Sequence, residues 1–118
     1  MTIPAHYVRK LNLKTDSINL THGAGGLATS QLIEELFAKH FTNAWLDEGH
    51  DGALLPPIKH PVAVSCDAHV VTPLFFPGGD IGRLAVAGTV NDVAVCGAKP
   101  LYIAATFILE EACLFRYW

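Results

Sequence analysis

A chain of 118 residues, 51% of them hydrophobic, has the length of one domain and too much apolar side chain to stay disordered. A formal charge of −3, with eight scattered Lys and Arg, leaves no basic face, so nucleic acid and anionic membrane are not expected as partners. Cys66, Cys96 and Cys113 are odd in number and share no C-x-x-C spacing. They favour a reducing compartment, and no run of about 18 apolar residues is present to cross a bilayer. The reading is a soluble, cytoplasmic protein.

In chain order, residues 1–14 are mixed and locally basic, without a sustained period, and read as an N-terminal arm. "SINLTH" follows as a brief strand and "GAGG" as a turn. "LATSQLIEELFAKHF" is the clearest amphipathic helix, with Leu32, Ile33, Leu36, Phe37 and His40 or Phe41 on one face. After a long loop, "PVAVSC" alternates as a strand, with Asp67 at its end. "LFFPGGD" is a turn-rich connection. "DIGRLAVAGTVNDVAVCGA" is long enough for a helix that Gly97 stops, with Pro100 just beyond. "LYIAATFILEE" closes the series as a strand apolar on both faces, suited to a central position or a barrel wall.

Three features carry chemistry. The glycine turn "HGAGG" between a strand and a helix leaves first-turn N–H groups free to meet an anion, and His22 beside it can touch a phosphate. A tight turn that merely needs positive φ is the plain alternative. Gly23, Gly25 and Ala28 also satisfy the G-x-G-x-x-G/A fingerprint of dinucleotide-binding folds, with Asp47 and Glu48 about 20 residues on. That reading needs more βα units than the chain holds and leaves Asn91 and Asp92 unexplained. In the second helix, Ala85, Gly88, Asn91, Asp92 and Val95 fall on neighbouring positions, so the acid stands where a backbone or ligand can come close. Its alternative is an Asp that caps a loop or pairs with Arg83 or Lys99. Asp51, Asp67 and Asp92 together supply hard oxygen ligands from separate elements, which suits Mg²⁺ shared with nucleotide phosphates. Singly, each is as well explained by a turn or cap. The six histidines never show the i, i+3 or i+4 spacing of a zinc site.

With "HGAGG", "LFFPGGDIGRLAVAGTVNDVAVCGAKP" and "FILEE" in view, the sequence resembles the HypE family of hydrogenase maturation proteins. That family lies within the superfamily of aminoimidazole ribonucleotide synthetase, selenophosphate synthetase and thiamine-monophosphate kinase. The resemblance covers roughly residues 17 to 111. It implies an α/β (α+β) fold: a small mixed sheet covered on one face by helices, forming an ATP-binding N-terminal domain over residues 15–111 whose sheets join in a dimeric barrel. It also implies ATP and Mg²⁺ as cofactors and an ATP-dependent carbamoyl dehydration that makes the cyanide ligand of nickel-iron hydrogenases. Carried over by motif, Gly23, Gly25 and Gly26, with His22, border the phosphates. Asp51, Asp67 and Asp92 hold Mg²⁺, and Asn91 orients the nucleotide or a metal-bound water. No residue is assigned to catalysis. A homodimer is implied, as are the carbamoyltransferase HypF and the HypC–HypD complex as partners.

Family members continue into a second domain and end on a modified cysteine, whereas this chain passes from "FILEE" into "ACLFRYW". Residues 112–118 are therefore expected to be an atypical tail on a truncated chain that does not catalyse alone. A non-catalytic dimerisation module stands as the rival reading.

Overall fold

The computed structural model describes residues 9–117. Residues 1–8, most of the expected arm, lie outside the described residues, as does Trp118. The chain divides into two compact units. The first runs up to Leu55 and resumes at Thr106, and the second is Pro56–Ala105.

The first unit is organised by one helical stretch. Helix α1 (Leu27–Leu32) passes into a π-helical segment (Ile33–Phe37) and then the short α2 (Ala38–His40). Leu32 and Leu36 turn inward as the periodicity predicts and form the core with Ile18 and Phe115. The wide π turn alters the rest of the face. Ile33 is exposed, whereas Glu35 is buried. The Glu35 carboxylate is satisfied there, since Oε2 accepts from the Leu11 amide at 2.8 Å and Oε1 from Gln31 Nε2 at 3.0 Å. Gln31 Nε2 also donates to the Arg9 carbonyl at 2.6 Å, so one buried acid and one amide fasten residues 9–11 to the helix.

The strand expected at "SINLTH" is reduced to a single bridge, Ser17 to Leu114. Ile18 exchanges backbone hydrogen bonds with Cys113 and Ala112, each 2.8 Å, and the ladder stops there. Asn19 ends it, because its side chain caps a 3-10 turn at Leu20–Gly23 instead of continuing the extended chain. The last described stretch is therefore integral to this unit: Leu114 pairs with Ser17 and Phe115 is 1% exposed. Just outside the core, Arg9 and the Asn12 amide converge on Asp16 at 2.6–2.8 Å. The Asn12 backbone bond, together with the hydrogen bond and charge of the Arg9 guanidinium, holds the Asp16 carboxyl below its ordinary value.

In the second unit a hairpin leads into the long helix. Strands β1 (Phe75–Phe76) and β2 (Gly79–Asp80) pair antiparallel across Pro77 and Gly78, and Gly78 takes the positive φ of 93° that this turn requires. Asp80 then caps α3 (Ile81–Val95) by accepting from the Arg83 amide at 2.8 Å. At the other end Gly97 adopts φ 73°, its amide bonds the Ala94 carbonyl, and the Ala98 amide bonds that of Val93. This pair of bonds is a Schellman ending, so Gly97 stops the helix as the sequence predicts.

Neither "PVAVSC" nor "LYIAATFIL" forms a ladder among the described residues, and Leu101, Ile103 and Ile108 are exposed. A strand is stabilised by its neighbours more than by its own propensity, and no neighbour is paired with these two. The mixed helix and small antiparallel sheet agree with the expected fold class. The barrel, which needs strands from a second copy, belongs to the proposal below. Among the described residues no helix is long and apolar enough to cross a membrane.

Candidate functional site

The predicted residues fall into two groups, one in each unit. In the first unit, His22, Gly23, Gly25 and Gly26 lie on the turn between the 3-10 segment and α1. His22 Nδ1 accepts from the Asn19 amide at 3.0 Å, which places the proton of a neutral ring on Nε2. The ring also stands edge-on to Phe115, with centroids 5.6 Å apart, so the core fixes its direction. Thr29 ties the loop at its base, donating to the His22 carbonyl at 2.7 Å and accepting from the Gly25 amide at 3.0 Å.

The three glycines are not equivalent. Gly25 is required by its φ of 74°. Gly23 and Gly26 have no such need, and a Cβ on either meets nothing within 4 Å, so crowding inside this chain does not explain their size. Gly26 stands at the N-terminus of α1, where no side chain caps the first-turn amides. A cleft of about 270 Å³, lined by Ile18, Leu20, His22, Gly23, Phe107 and Glu111 among others, opens beside the turn. This is an open backbone cradle with a histidine N–H at its rim, and it fits a phosphate-bearing ligand. The dinucleotide fingerprint loses its context here, because a 3-10 turn rather than a strand precedes the glycines and Asp47 is engaged by Thr42 Oγ1 at 2.9 Å.

In the second unit, Asn91 and Asp92 project from α3, and Asp67 lies on the segment that crosses it. Asn91 is exposed and Asp92 half-buried. The pairing weighed for Asp92, with Arg83 or Lys99, is not what is found. Ser65 Oγ donates to Asp92 Oδ2 at 3.1 Å, and Arg83 stands 3.4 Å from Asp80. Asp67 accepts from the Ala68 amide at 2.8 Å through Oδ1, and its Oδ2 lies 3.3 Å from His69 Nε2. The room left by Gly88 is taken by the same imidazole, since a Cβ there would sit 2.5 Å from His69 Nε2. Ser65 and His69 are the two residues that sequence reasoning missed. The only available signal was their place two residues either side of Asp67.

Asp51 is exposed and belongs to the first unit. Among the described residues no three His, Cys, Asp or Glu side chains assemble into a metal cage. The donor set of Asp67, Asp92 and Asn91 is nonetheless made of hard oxygens in few numbers. That suits Mg²⁺, which takes one or two carboxylates and completes its shell with water and phosphate.

The family model described as AIR synthase related protein, N-terminal domain, matches residues 49–118. The chain is 57% identical over 111 residues to the carbamoyl dehydratase HypE of Cupriavidus necator, covering 93% of this chain and 32% of that protein. It is 59% identical over 104 residues to the hydrogenase expression/formation protein HupE of Azotobacter chroococcum mcd 1, covering 86% of this chain and 30% of that one. The HypE of Escherichia coli is 50% identical over 101 residues, covering 81% and 30%. The crystal structure of a hydrogenase maturation protein HypE in complex with ATP matches with a TM-score of 0.59 and 52% identity, over 64% of this chain and 22% of that one. The chain thus spans about a third of the length of the curated relatives it matches. By the extent of the family match and these likenesses, the chain belongs to the AIR synthase related protein family, through its N-terminal domain, and is similar within it to HypE.

Proposed function

We propose that this chain is the ATP- and Mg²⁺-binding, dimer-forming N-terminal part of a HypE-like carbamoyl dehydratase serving nickel-iron hydrogenase maturation. The observation that carries the reading is the 52% identity to a HypE whose structure holds ATP. The reaction converts a thiol-bound carbamoyl group to a thiocyanate. The carboxamide oxygen takes the γ-phosphoryl group of ATP and ADP leaves. The nitrogen then gives up both protons as the C–O bond breaks, releasing phosphate and leaving sulfur-bound C≡N.

Phosphoryl transfer asks a protein mainly for positioning and charge neutralisation. On this reading Gly23, Gly25 and Gly26 border the phosphates, and the His22 Nε2–H donates to one of them. Asp67 and Asp92 hold Mg²⁺, and Asn91 orients the nucleotide or a metal-bound water. When bound, Mg²⁺ supplies positive charge against the phosphates. The carbamoyltransferase HypF and the HypC–HypD complex are the proposed partners, upstream and downstream of the thiocyanate. The compartment proposed is the cytoplasm.

Isothermal titration is expected to show ATP binding that strengthens when Mg²⁺ is added. ATP binding that ignores the metal overturns the Mg²⁺ assignment, and NAD binding in place of ATP overturns the nucleotide assignment. The dimer is supported by the exposed apolar run at 101–108, which a second copy can cover by strand pairing. Sedimentation at micromolar concentration is expected to give twice the chain mass, and a clean monomer removes the barrel.

A further inference from the structure

Two polar side chains of the second unit, Ser65 and His69, lie against the carboxylates Asp92 and Asp67, and the proposed function gives them no role. His69 is the more constrained. Its side chain is 14% exposed, with Nε2 at 3.3 Å from Asp67 Oδ2. Its seat exists only because position 88 lacks a side chain, since a Cβ there would lie 2.5 Å from Nε2 and 3.2 Å from Cε1. A glycine inside a helix disfavours that helix relative to alanine. Gly88 sits inside α3, and the packed imidazole is a structural reason for it.

The consequence falls on Asp67. One of its oxygens is held by the Ala68 amide at 2.8 Å and the other faces the imidazole, so rotation of the carboxylate is restricted from both sides. The carboxylate is still 43% exposed, and an acid oxygen that accepts one N–H keeps lone pairs for a cation. Ser65 stands in the same relation to Asp92, donating to Oδ2 at 3.1 Å. Groups that orient ligating carboxylates in this way commonly set metal affinity without touching the metal.

We propose that His69, seated against Gly88, is a positioning residue that fixes the Asp67 carboxylate for a divalent cation shared with a nucleotide phosphate. This rests on the reading of Asp67 as a Mg²⁺ ligand. Gly88 is then part of the same device.

The test is calorimetric titration of the full chain with ATP, with and without Mg²⁺, for the wild type, His69→Ala, His69→Gln and Gly88→Ala. His69→Ala is expected to weaken the Mg²⁺-dependent part of ATP binding about tenfold. His69→Gln, which can present an N–H near the same point, is expected to recover most of that loss. Gly88→Ala is expected to reproduce the loss by pushing the ring away from Asp67, although alanine is the better helix former. Metal-free ATP binding should be the same in all four. If the wild type responds to Mg²⁺ and the variants bind equally well, the positioning role is refuted while the ligand reading stands. If the wild type shows no Mg²⁺ dependence, the ligand reading fails and takes the positioning role with it. Loss in both His69 variants, accompanied by a lowered melting temperature, assigns His69 to packing and also overturns the proposal.

Discussion

Phe115→Ala is expected to cost the first unit about 3–5 kcal/mol, the usual penalty for emptying a buried aromatic site. Phe115 is 1% exposed and is one of only four buried apolar side chains among the described residues, so the cavity has few neighbours to collapse into it. The loss is a large fraction of the roughly 5–15 kcal/mol that holds an ordinary domain together. It reaches further than the cavity. The Phe115 amide bonds the Asp16 carbonyl at 3.1 Å, and its ring meets His22 at 5.6 Å, so the same residue secures both the chain before the glycine turn and the rim of the turn. Urea unfolding followed by circular dichroism should show the drop, and Phe115→Leu, which keeps most of the volume, should lose much less. A change below about 1 kcal/mol for Phe115→Ala would mean that residues 112–117 do not hold this core.

Legibility in the sequence followed the range over which each feature is determined. The ends of α3 are local, and Asp80, Gly97 and Pro100 announce them within a few residues of where they act. The first helix was visible by its period, and Leu32 and Leu36 are buried as that period requires. Its π turn was not visible, because nothing in "IEELF" distinguishes a wide turn from an α turn. The period therefore places Ile33 inward, where the structure exposes it, and gives no sign that Glu35 is buried. A glutamate reads as exposed until its partners are known, and one of them, Leu11, lies 24 residues away.

The strands were the least legible. Alternation at 61–66 and apolar content at 101–109 describe a segment that would suit a sheet, but they say nothing of whether a neighbour is there to pair with it. Cys66 and Cys96, which stand among apolar residues in the sequence, are exposed for a related reason, since burial depends on what lies across from a residue. The candidate site shows the same division. The glycine turn, Asp67 and Asp92 were found by type and spacing. The Ser65–Asp92 bond spans 27 residues, and no local pattern foretells it. Gly88 was noticed as a place of close approach, but its occupant could be named only from the fold.

Asp92→Asn is expected to weaken Mg-ATP binding by about tenfold or more while leaving the fold in place. The two side chains have nearly the same shape, and the amide oxygen can still accept from Ser65 Oγ, which now bonds Oδ2 at 3.1 Å. What the substitution removes is the negative charge, and Mg²⁺ discriminates strongly between a carboxylate and a neutral amide when few protein ligands are present. A half-buried carboxylate on a helix of small residues has a cost that a cation relieves, so its neutral replacement should melt at the same temperature or slightly higher when no metal is added. Asp67→Asn should behave likewise, with the added loss of its contact to His69. Titration calorimetry and thermal melting on the same preparations separate the two quantities. An Asp92→Asn chain that binds Mg-ATP normally, or one that unfolds with no response to metal in either protein, would make Asp92 a structural acid held for Ser65 and would leave the cation without its central ligand.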